Sequence, residues 1–391
     1  MSQLLESRWS ETKEALLEGL QGNKRSVMAT TLENTRKYLA ESATAGATSA
    51  GNVATLNRVI LPVIRRVMPT VIANELVGVQ PMTGPVGQIH TLRVRYSDTF
   101  AGATGGATTA GEEALSPFKI AEGYSGATTG KPAATSALEG VAGNKLSIQI
   151  LKQTVEAKTR KLSARWTFEA AQDAQAQQGI DIEAEIMAAL AQEITAEIDQ
   201  EIIASLTTLA GSQNTAAYDQ AAVSGTATFV GDEHAALAVQ INRASNLIAQ
   251  RTRRGAGNWA VVSPTALTVL QSATTSAFAR TTEGTFEAPT NTKFVGTLNS
   301  AMKVYVNAYA ENDNVLVGYK GSSESDAAAF YCPYIPLMSS GVVLDPQTFE
   351  PVVSFMTRYG YVELTNTASS LGNAGDYLAT VAVTSANLRF A

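Results

Sequence analysis

Two glycine-rich stretches have residue types that could bind a nucleotide. The first, Gly255 to Ala260 (GAGNWA), fits the loose G-x-G-x-x-A form of a dinucleotide-binding loop. That chemistry needs a strand before the glycines and a helix after them. Here a basic helical pattern precedes the glycines and a strand pattern follows. We therefore interpret the stretch as a tight turn into a buried strand.

The second stretch, Gly126 to Lys131 (GATTGK), is one residue short of a phosphate-binding loop. Pro132 stands where that loop needs a hydroxyl to bind magnesium, and no apolar strand leads into it. The sequence therefore argues against a phosphate site here.

The other candidates for chemistry are weaker. His90 and His234 are the only histidines, and because they lack the spacing of a metal site, both are interpreted as structural. No serine or cysteine lies in a recognisable nucleophile elbow. Glutamates along a long helix could bring two carboxylates together, but a solvated face is the expected arrangement. The sequence thus predicts no catalytic residue, no cofactor and no metal site.

The longest helical pattern runs from Phe168 to Leu209. From Asp181 onward an apolar residue recurs at every fourth position: Ile182, Ile186, Leu190, Ile194, Ile198, Ile202 and Leu206. Because four residues advance about 400° around a helix, this row drifts by about 40° per step. We expect the helix to meet different partners along its length, in its own domain and in a neighbouring subunit.

A protruding β-arm is predicted before this helix. Gln88 to Tyr96 alternates with period two, which indicates a strand with one solvated side. Its apolar face holds Leu92, Val94 and Tyr96, and its polar face holds Thr91, Arg93 and Arg95. A second strand pattern has Leu146, Ile148 and Ile150 on one face. Lys158 to Trp166 is then basic and extended, with Thr167 as the helix N-cap.

Residues 97–144, between these two strands, are mostly Gly, Ala, Thr and Ser. Ordering each residue costs about 1–2 kcal/mol of backbone entropy, and this segment has little apolar surface to offset that cost. We expect it to be disordered or folded against a neighbouring subunit.

The N-terminal part divides into three segments. Residues 1–41 are helix-prone and mixed in charge, and their composition then changes abruptly to SATAGATSAG at Ser42–Gly51. That tract predicts a flexible linker or extended arm, so the first segment should be separable from the rest. Asn52 to Val79 is aliphatic, and its prolines at positions 62 and 69 predict short helices.

After the long helix the pattern is mixed α/β. Asp232 to Arg251 predicts a helix, with acidic residues at its start and arginines at its end. Trp259 to Val262 predicts a strand, and Ser263-Pro264 predicts the start of the next helix. Two further strands, Met302–Val306 and Val315–Tyr319, are predicted to pair, and Val352–Tyr359 is the clearest strand of the β-rich C-terminal part.

Composition narrows the class of protein. The chain has 391 residues, 45% of them hydrophobic, and 35 acidic against 29 basic residues give a formal net charge of −6. A protein that coats nucleic acid would usually be basic. Cys332 is the only cysteine, so no intrachain disulfide exists. We predict a cytosolic globular protein that is neither a membrane protein nor a dedicated DNA-binding protein.

Three clusters of basic residues are interpreted as inter-subunit or solvated surface, because no regular aromatic residues accompany them. The clusters are Arg58, Arg65 and Arg66; Lys158, Arg160, Lys161 and Arg165; and Arg251, Arg253 and Arg254.

Several short motifs occur in an order that resembles one known family. They are VGVQPM (77–82), GPVGQ (84–88), VEAKTRKL (155–162), FEAAQD (168–173), VGYKG (317–321), FYCPY (330–334) and TRYG (357–360). Their order resembles the major capsid proteins of tailed phages, whose fold is named after phage Hong Kong ninety-seven, and the T-even-like myophage branch in particular. The resemblance covers about residues 52–365.

The resemblance implies an α+β fold of the Hong Kong ninety-seven type and a structural subunit that assembles into hexamers of an icosahedral head around double-stranded DNA. In that fold the Gly/Ala/Thr-rich loop lies over the adjacent subunit and needs no core of its own. The implied divisions are an N-terminal helical segment (1–41), an N-arm (42–65), a peripheral domain with the long spine helix (66–90, 156–210 and 336–366), an extended loop (91–155) and an axial domain (211–335 and 367–391).

Two features of this chain bear on the resemblance. T-even-like relatives insert an extra domain in the extended loop, and here that span is too short for one. The family's prohead protease cuts after Leu-x-Glu or Ile-x-Glu, which Leu39-Ala40-Glu41 fits, as do Leu4-Leu5-Glu6 and Leu16-Leu17-Glu18. Cleavage between Glu41 and Ser42 would release residues 1–41 as a propeptide.

The implied partners are further copies of the chain, together with vertex, portal, scaffold, prohead protease and decoration proteins. DNA would be enclosed without sequence-specific binding, and no membrane is involved. A cellular encapsulin, which encloses cargo enzymes in a shell of the same fold, is the alternative, although it usually lacks a detachable N-terminal segment. A β-rich surface adhesin is disfavoured, because it would normally carry a secretion signal and the first residues, MSQLLESRWSETKE, do not have that pattern.

Overall fold

The computed structural model describes fourteen stretches of the chain: residues 9–10, 13–45, 72–102, 106–114, 121–126, 131–178, 181–211, 215–223, 230–273, 278–280, 293–299, 301–348, 350–365 and 373–388. The α-helices are α1 (Gly22–Ala45), α2 (Ala73–Leu76), α3 (Thr135–Leu138), α4 (Phe168–Gln178), α5 (Ile182–Ala210), α6 (Gln220–Val223), α7 (Val230–Thr252) and α8 (Pro264–Ser272). Residues 13–17 are also helical.

The strands are β1 (Gly78–Val79), β2 (Val86–Tyr96), β3 (Leu146–Glu156), β4 (Lys158–Arg165), β5 (Thr215–Tyr218), β6 (Trp259–Val262), β7 (Phe278–Arg280), β8 (Lys293–Leu298), β9 (Met302–Val306), β10 (Val315–Gly318), β11 (Ala329–Ser339), β12 (Val343–Leu344), β13 (Pro351–Glu363) and β14 (Leu378–Val383). Short 3-10 helices lie at Ala374–Tyr377 and Ser385–Asn387.

The chain divides into two compact units. Unit 1 comprises Met1–Gly87, Val155–Ile203 and Phe330–Val362, and unit 2 comprises Gln88–Thr154, Ala204–Ala329 and Glu363–Ala391. Helix α5 belongs to unit 1 as far as Ile203 and to unit 2 from Ala204 onward. A helix whose apolar row drifts around its axis is suited to contribute to two cores in this way.

Unit 2 contains a seven-stranded mixed sheet in the order β5-β14-β10-β6-β9-β8-β7. Its core is aliphatic and includes helices α7 and α8. The predicted pairing of Met302–Val306 with Val315–Tyr319 is wrong, because β6 lies between β9 and β10 and pairs with both. Strand β6 is buried at every position, so it occupies the centre of the sheet.

The turn between α7 and β6 confirms the structural interpretation of GAGNWA. A Cβ atom on Gly255 would lie 2.6 Å from the Tyr319 ring, and one on Gly257 would lie 2.8 Å from Cγ1 of Val317. Ser245 Oγ donates a hydrogen bond to the Gly257 carbonyl oxygen at 3.1 Å. These glycines are therefore needed for close packing, and the helix precedes them rather than following them.

Both predicted N-caps of the longer helices are confirmed. The backbone N–H of Ala170 donates to Thr167 Oγ1 at 3.3 Å at the start of α4, and that of Ala266 donates to Ser263 Oγ at 3.1 Å at the start of α8. The single helical pattern over Phe168–Leu209 is divided, however. Helix α4 ends at Gln178 and α5 begins at Ile182, where the Asp181 carboxylate accepts from the Glu183 N–H at 3.0 Å.

Unit 1 contains a five-stranded sheet in which β1, β11, β13 and β12 are neighbours and β4 also pairs with β13. The β4–β13 pairing is antiparallel, from Arg165 opposite Val352 to Lys158 opposite Tyr359. The basic extended segment before the long helix is therefore a strand of this sheet.

Strands β2 and β3 form a two-stranded sheet, the predicted β-arm. The prediction that its arginine face is solvated is wrong, because Arg93 is only 4% exposed and Arg95 only 9%. Nη1 of Arg93 lies 2.9 Å from Oε2 of Glu113, so a carboxylate from the loop accompanies the buried guanidinium.

The loop of the β-arm has a small core of its own in its described part. The Tyr124 ring lies 4.6 Å from the Tyr96 ring and 6.1 Å from the Phe100 ring, measured between centroids. Tyr124 Oη donates to the Lys145 carbonyl oxygen at 2.8 Å. The expectation of a segment without a core is therefore corrected, because it weighed aliphatic periodicity and overlooked aromatic residues.

The two histidines have different surroundings, and a structural position is seen for His234. His234 is buried in α7 with its Nδ1 against Ser272 Oγ, and His90 is exposed on β2. In the stretches that the structure describes, no group of three or more His, Cys, Asp or Glu side chains could hold a metal ion. Over the same stretches, no helix is both long and apolar enough to cross a bilayer.

Candidate assembly surfaces

The most exposed apolar surface of the described chain lies on the β-arm. On β3, Leu146 is 51% exposed, Ile148 71% and Ile150 68%, and because strand residues alternate, all three project from one face. We call these three residues the aliphatic row. Burying one such side chain is worth about 1.5–3 kcal/mol, so a monomer forgoes a large stabilisation by exposing three together. Contiguous apolar surface of this kind is typical of a protein interface.

A second apolar surface lies in unit 1, where a groove of about 200 Å³ is lined in part by Trp166, Phe168 and Pro351. Val342, which also lines the groove, and its neighbours Val343 and Leu344 are exposed. The groove lies where β4 ends and α4 begins.

Several arginines of the predicted basic clusters have acidic partners in the same chain while remaining partly exposed, which agrees with solvated surface. Arg165 pairs with Glu350 at 3.7 Å, Arg251 with Asp376 at 3.5 Å and Arg254 with Asp326 at 2.7 Å. The cluster at Arg58, Arg65 and Arg66 lies outside the described residues.

Arg160 is the centre of a polar network that joins β4, β13 and α5. Its guanidinium lies 2.8 Å from Glu197 Oε2 and 2.7 Å from Glu201 Oε2, and its Nε donates to Tyr359 Oη at 2.7 Å. Tyr359 Oη in turn donates to Glu201. The planar guanidinium has donors in three directions, which is why an arginine suits this position.

The protonation equilibria of this network favour its charged form. Partial burial alone would raise the pKa of Glu201, but the hydrogen bonds from Tyr359 and Arg160 outweigh it and lower that pKa. Burial and the hydrogen bond to Glu201 raise the pKa of Tyr359. The carboxylate and the neutral phenol are therefore both retained at neutral pH.

We expect Arg160→Ala to lower the free energy of unfolding by about 1–2 kcal/mol, because it leaves Glu197 and Glu201 facing one another without their cation. Thermal unfolding followed by circular dichroism would measure the change. Lys161→Ala, an exposed position on the same strand, is the matched control and should change stability by less than about 0.5 kcal/mol. Equal effects of the two substitutions would contradict a stabilising role for the network.

Asp199 is a buried carboxylate in the middle of α5. Its Oδ1 accepts a hydrogen bond from the backbone N–H of Ile72 at 2.9 Å, just before α2. Burial raises the pKa of Asp199 to about 7, although the Ile72 hydrogen bond opposes the shift. The Asp199 side chain thus ties the backbone just before α2 to the long helix.

The candidate cleavage residues lie in a helix. Leu39, Glu41 and Ser42 are all within α1, which continues to Ala45. The prediction of a flexible linker from Ser42 is therefore wrong for its first four residues, and the remainder of the tract lies outside the described residues. The physical reason is that alanine is the best helix former and lets the helix propagate into the tract.

Sequence reasoning missed two of these positions: Asp199 and the Arg160 partner Tyr359. Asp199 lies one position beyond the apolar row of α5, where a carboxylate is normally read as solvated. The available signal was spacing: Asp199 lies four residues after Thr195 and four before Ile203, so it shares a helix face with two residues that are buried.

A comparison with protein-family models matches residues 53–386 to the family of the major capsid protein Gp23. The match covers most of the chain. The chain belongs to the Gp23 family of major capsid proteins.

The similarity to individual members extends over most of their length. The chain is 31% identical to the major capsid protein of Vibrio phage KVP40, over 85% of this chain and 82% of that protein. It is 29% identical to the major capsid protein of Enterobacteria phage T4, over 83% of this chain and 78% of that protein.

Solved structures with a related backbone include a chain from Microbacterium phage Oxtober96, with a TM-score of 0.46 and 12% identity over 80% of this chain and 90% of that one. Another is from the capsid of Myoviridae phage XM1, with a TM-score of 0.42 and 10% identity over 78% of this chain and 88% of that one. The assignment rests on the family match and not on these scores.

Membership of the Gp23 family settles the class of protein. The chain is a structural subunit that self-assembles into the shell of a phage head, and it is not an enzyme. Its fold is α+β, and its place is the capsid of the virion. The encapsulin alternative is not supported.

Proposed function

We propose that this capsid subunit forms hexamers that close an icosahedral head around double-stranded DNA. The observation that carries the proposal is the aliphatic row, three exposed side chains on one face of a strand in a protein whose family builds shells. A surface that needs a second copy to cover it supports assembly through the β-arm. The net charge of −6 supports enclosure of DNA without sequence-specific binding.

Within the hexamer, we assign residues 91–155 as the extended loop that lies over the adjacent subunit. Residues 66–90, 156–210 and 336–366 then form the peripheral domain with α5 as its spine. Residues 211–335 and 367–391 form the axial domain, and 42–65 the N-arm. The aliphatic row lies in the segment that this assignment extends over a neighbour, which supports it.

Electron microscopy of the chain expressed alone at high concentration tests the proposal. Closed shells, tubes or a hexagonal lattice are the expected result. A chain that remains a discrete monomer, and still does so with the candidate scaffold protein of the same phage present, would overturn it.

We propose that a prohead protease removes residues 1–41 by cutting between Glu41 and Ser42. The match of Leu39-Ala40-Glu41 to the Leu-x-Glu pattern supports the site. Because proteases bind extended substrate, the last turns of α1 must first unwind, and the C-terminal end of a helix is where unwinding costs least. The cut would therefore depend on fraying of α1 near Ala45.

We expect N-terminal sequencing of the protein from purified virions to begin at Ser42. Glu41→Ala should abolish that terminus and leave a longer chain, whereas Glu18→Ala, in another Leu-x-Glu match, should leave it unchanged. A virion protein that begins at Met1 or Ser2 would contradict cleavage.

The proposed partners, besides further copies of the chain, are portal, scaffold, vertex, prohead protease and decoration proteins, and assembly takes place in the host cytoplasm. The family's role as a head shell supports this set, since a closed shell needs vertices and an opening for DNA. Co-purification from infected cells, followed by mass spectrometry, would identify which of them bind.

A further inference from the structure

The N-terminal segment packs closely on unit 1, although its composition predicts a separable piece. Val27, Met28 and Leu32 of α1 are buried, and so are the polar residues Thr31 and Thr35. These positions fall on one side of the helix, since they follow each other at steps of three and four residues. One face of α1 is therefore covered along about two and a half turns.

Asn34 makes the most specific contact of this face. It is buried, and its Nδ2 donates hydrogen bonds to the carbonyl oxygens of Met82 at 2.6 Å and Tyr334 at 3.0 Å. A buried amide that satisfies two carbonyl groups is costly to remove, because both acceptors lose their partner.

Two further contacts lie three helical turns before Asn34. Lys24 Nζ lies 2.9 Å from Glu75 Oε1, and Asn23 Nδ2 donates to the Val79 carbonyl oxygen at 3.4 Å. Asn23 and Asn34 are eleven positions apart, which at 3.6 residues per turn returns to the same face. The surface they contact, formed by Glu75, Val79, Met82 and Tyr334, is called the docking strip here.

The segment before α1 also folds onto it. The Trp9 indole Nε1 donates to Glu33 Oε2 at 3.3 Å, and Lys13 Nζ lies 3.5 Å from the same oxygen. Leu16 and Leu17 are buried. These contacts join the described residues between Trp9 and Thr35 into one folded piece.

We propose that the docking strip is a binding site for an amphipathic helix, and that residues 9–35 occupy it without needing their covalent link to the rest of the chain. The inference builds on the proposed cleavage after Glu41: the cut alone leaves the N-terminal segment bound, and its release is a separate step. The chemistry of the site is specific for a helix that presents a lysine to Glu75 and, three turns later, an amide to two backbone carbonyls. Until release, the strip is closed to any other copy of the chain.

The test separates docking from natural processing. A recognition sequence for a foreign, sequence-specific protease is inserted into the tract 46–51 of the full chain, and the unassembled protein is cut and passed over a size-exclusion column at about micromolar concentration. We expect the cut N-terminal segment, carrying a fluorescent label, to elute with the remainder of the chain. Because Leu39-Ala40-Glu41 plays no part in this cut, a negative result here is distinct from failure of the proposed cleavage.

Substitutions in the contact should change how strongly the cut N-terminal segment is retained. Asn34→Ala should weaken retention of the cut segment about tenfold to a hundredfold, whereas Ser26→Ala, on the exposed side of α1, should leave it unchanged. Lys24→Glu should also weaken retention by placing a carboxylate against Glu75, and Lys24→Glu combined with Glu75→Lys should restore it. This charge reversal does not depend on whether Asn34→Ala folds.

Two results would overturn the proposal. One is complete separation of the unaltered segment from the remainder as soon as it is cut. The other is retention that is the same for the unaltered chain, Asn34→Ala and Lys24→Glu, since the segment would then be held by something other than the docking strip.

Discussion

A chain in which Ile148 and Ile150 are both replaced by lysine should remain folded and form no shells. Both side chains are more than two-thirds exposed in the single chain, so the substitution removes no intrachain packing. In an assembled shell each would lose about 1.5–3 kcal/mol of apolar burial and would add the cost of burying an ammonium group. Two such losses per contact weaken it by more than about a hundredfold. Because every subunit of a shell repeats the contact, assembly should fall below detection.

Electron microscopy and sedimentation at a concentration where the unaltered chain assembles would measure the loss, and circular dichroism would check the fold. Ser147→Lys with Gln149→Lys is the matched control, because those residues are exposed on the opposite face of the same strand. It adds the same charge and should assemble. Shells formed equally well by both double variants would exclude the aliphatic row from the interface.

The second large effect concerns the buried carboxylate of Asp199. We expect Asp199→Asn to be more stable than the unaltered protein at pH 8, by about 2–4 kcal/mol, and to match it near pH 4. Burial raises the pKa of Asp199 from 3.8 to about 7, so in this interval the folded chain holds a proton that the unfolded chain has released. Folding is then favoured most at low pH, and this contribution is lost as the pH rises through about 7. An asparagine still accepts the Ile72 hydrogen bond but carries no charge to bury.

Thermal unfolding of the two proteins at several pH values between 4 and 8 would show the effect as a difference that grows with pH. Asp199→Leu is the informative companion, because it removes both the charge and the acceptor and should be less stable than Asp199→Asn at every pH. Glu193→Gln, at an exposed position of the same helix, should leave the pH dependence unchanged. A difference between the unaltered protein and Asp199→Asn that is constant with pH would show that Asp199 is ionised throughout.

The position of Asp199 links this prediction to the path of the chain. It accepts from Ile72, the first described residue after the N-terminal helix and the segment that follows it. Tyr331 is buried near it, and burial, together with the charges of Tyr359 and Asp199, raises the pKa of that phenol. Protonation of Asp199 is therefore coupled to the contact between the long helix and the backbone just before α2.

Local features of this protein followed directly from its sequence. Alternation predicted β2, β3 and β13, and a hydroxyl residue before a helical run predicted the caps at Thr167 and Ser263, because these signals involve residues only a few positions apart. Ordered short motifs predicted the capsid family, since each motif is weak alone but their sequence of occurrence is specific.

Other features depended on which segments meet in the folded chain. Arg93 and Arg95 alternate as solvated residues do, yet both are buried, and the carboxylate that pairs with Arg93 comes from Glu113, 20 positions further along the chain. Strands β9 and β10 are neighbours in sequence, yet the fully buried strand β6 lies between them and pairs with both. No apolar pattern in the sequence marks Asn34 or Asp199 as buried. The cost of burying their polar groups is offset by hydrogen bonds to Met82, Tyr334 and Ile72. Hydrogen-bond partners that are far apart in the chain produce no periodic pattern in the sequence. Only the tertiary structure therefore decided that these two side chains are buried.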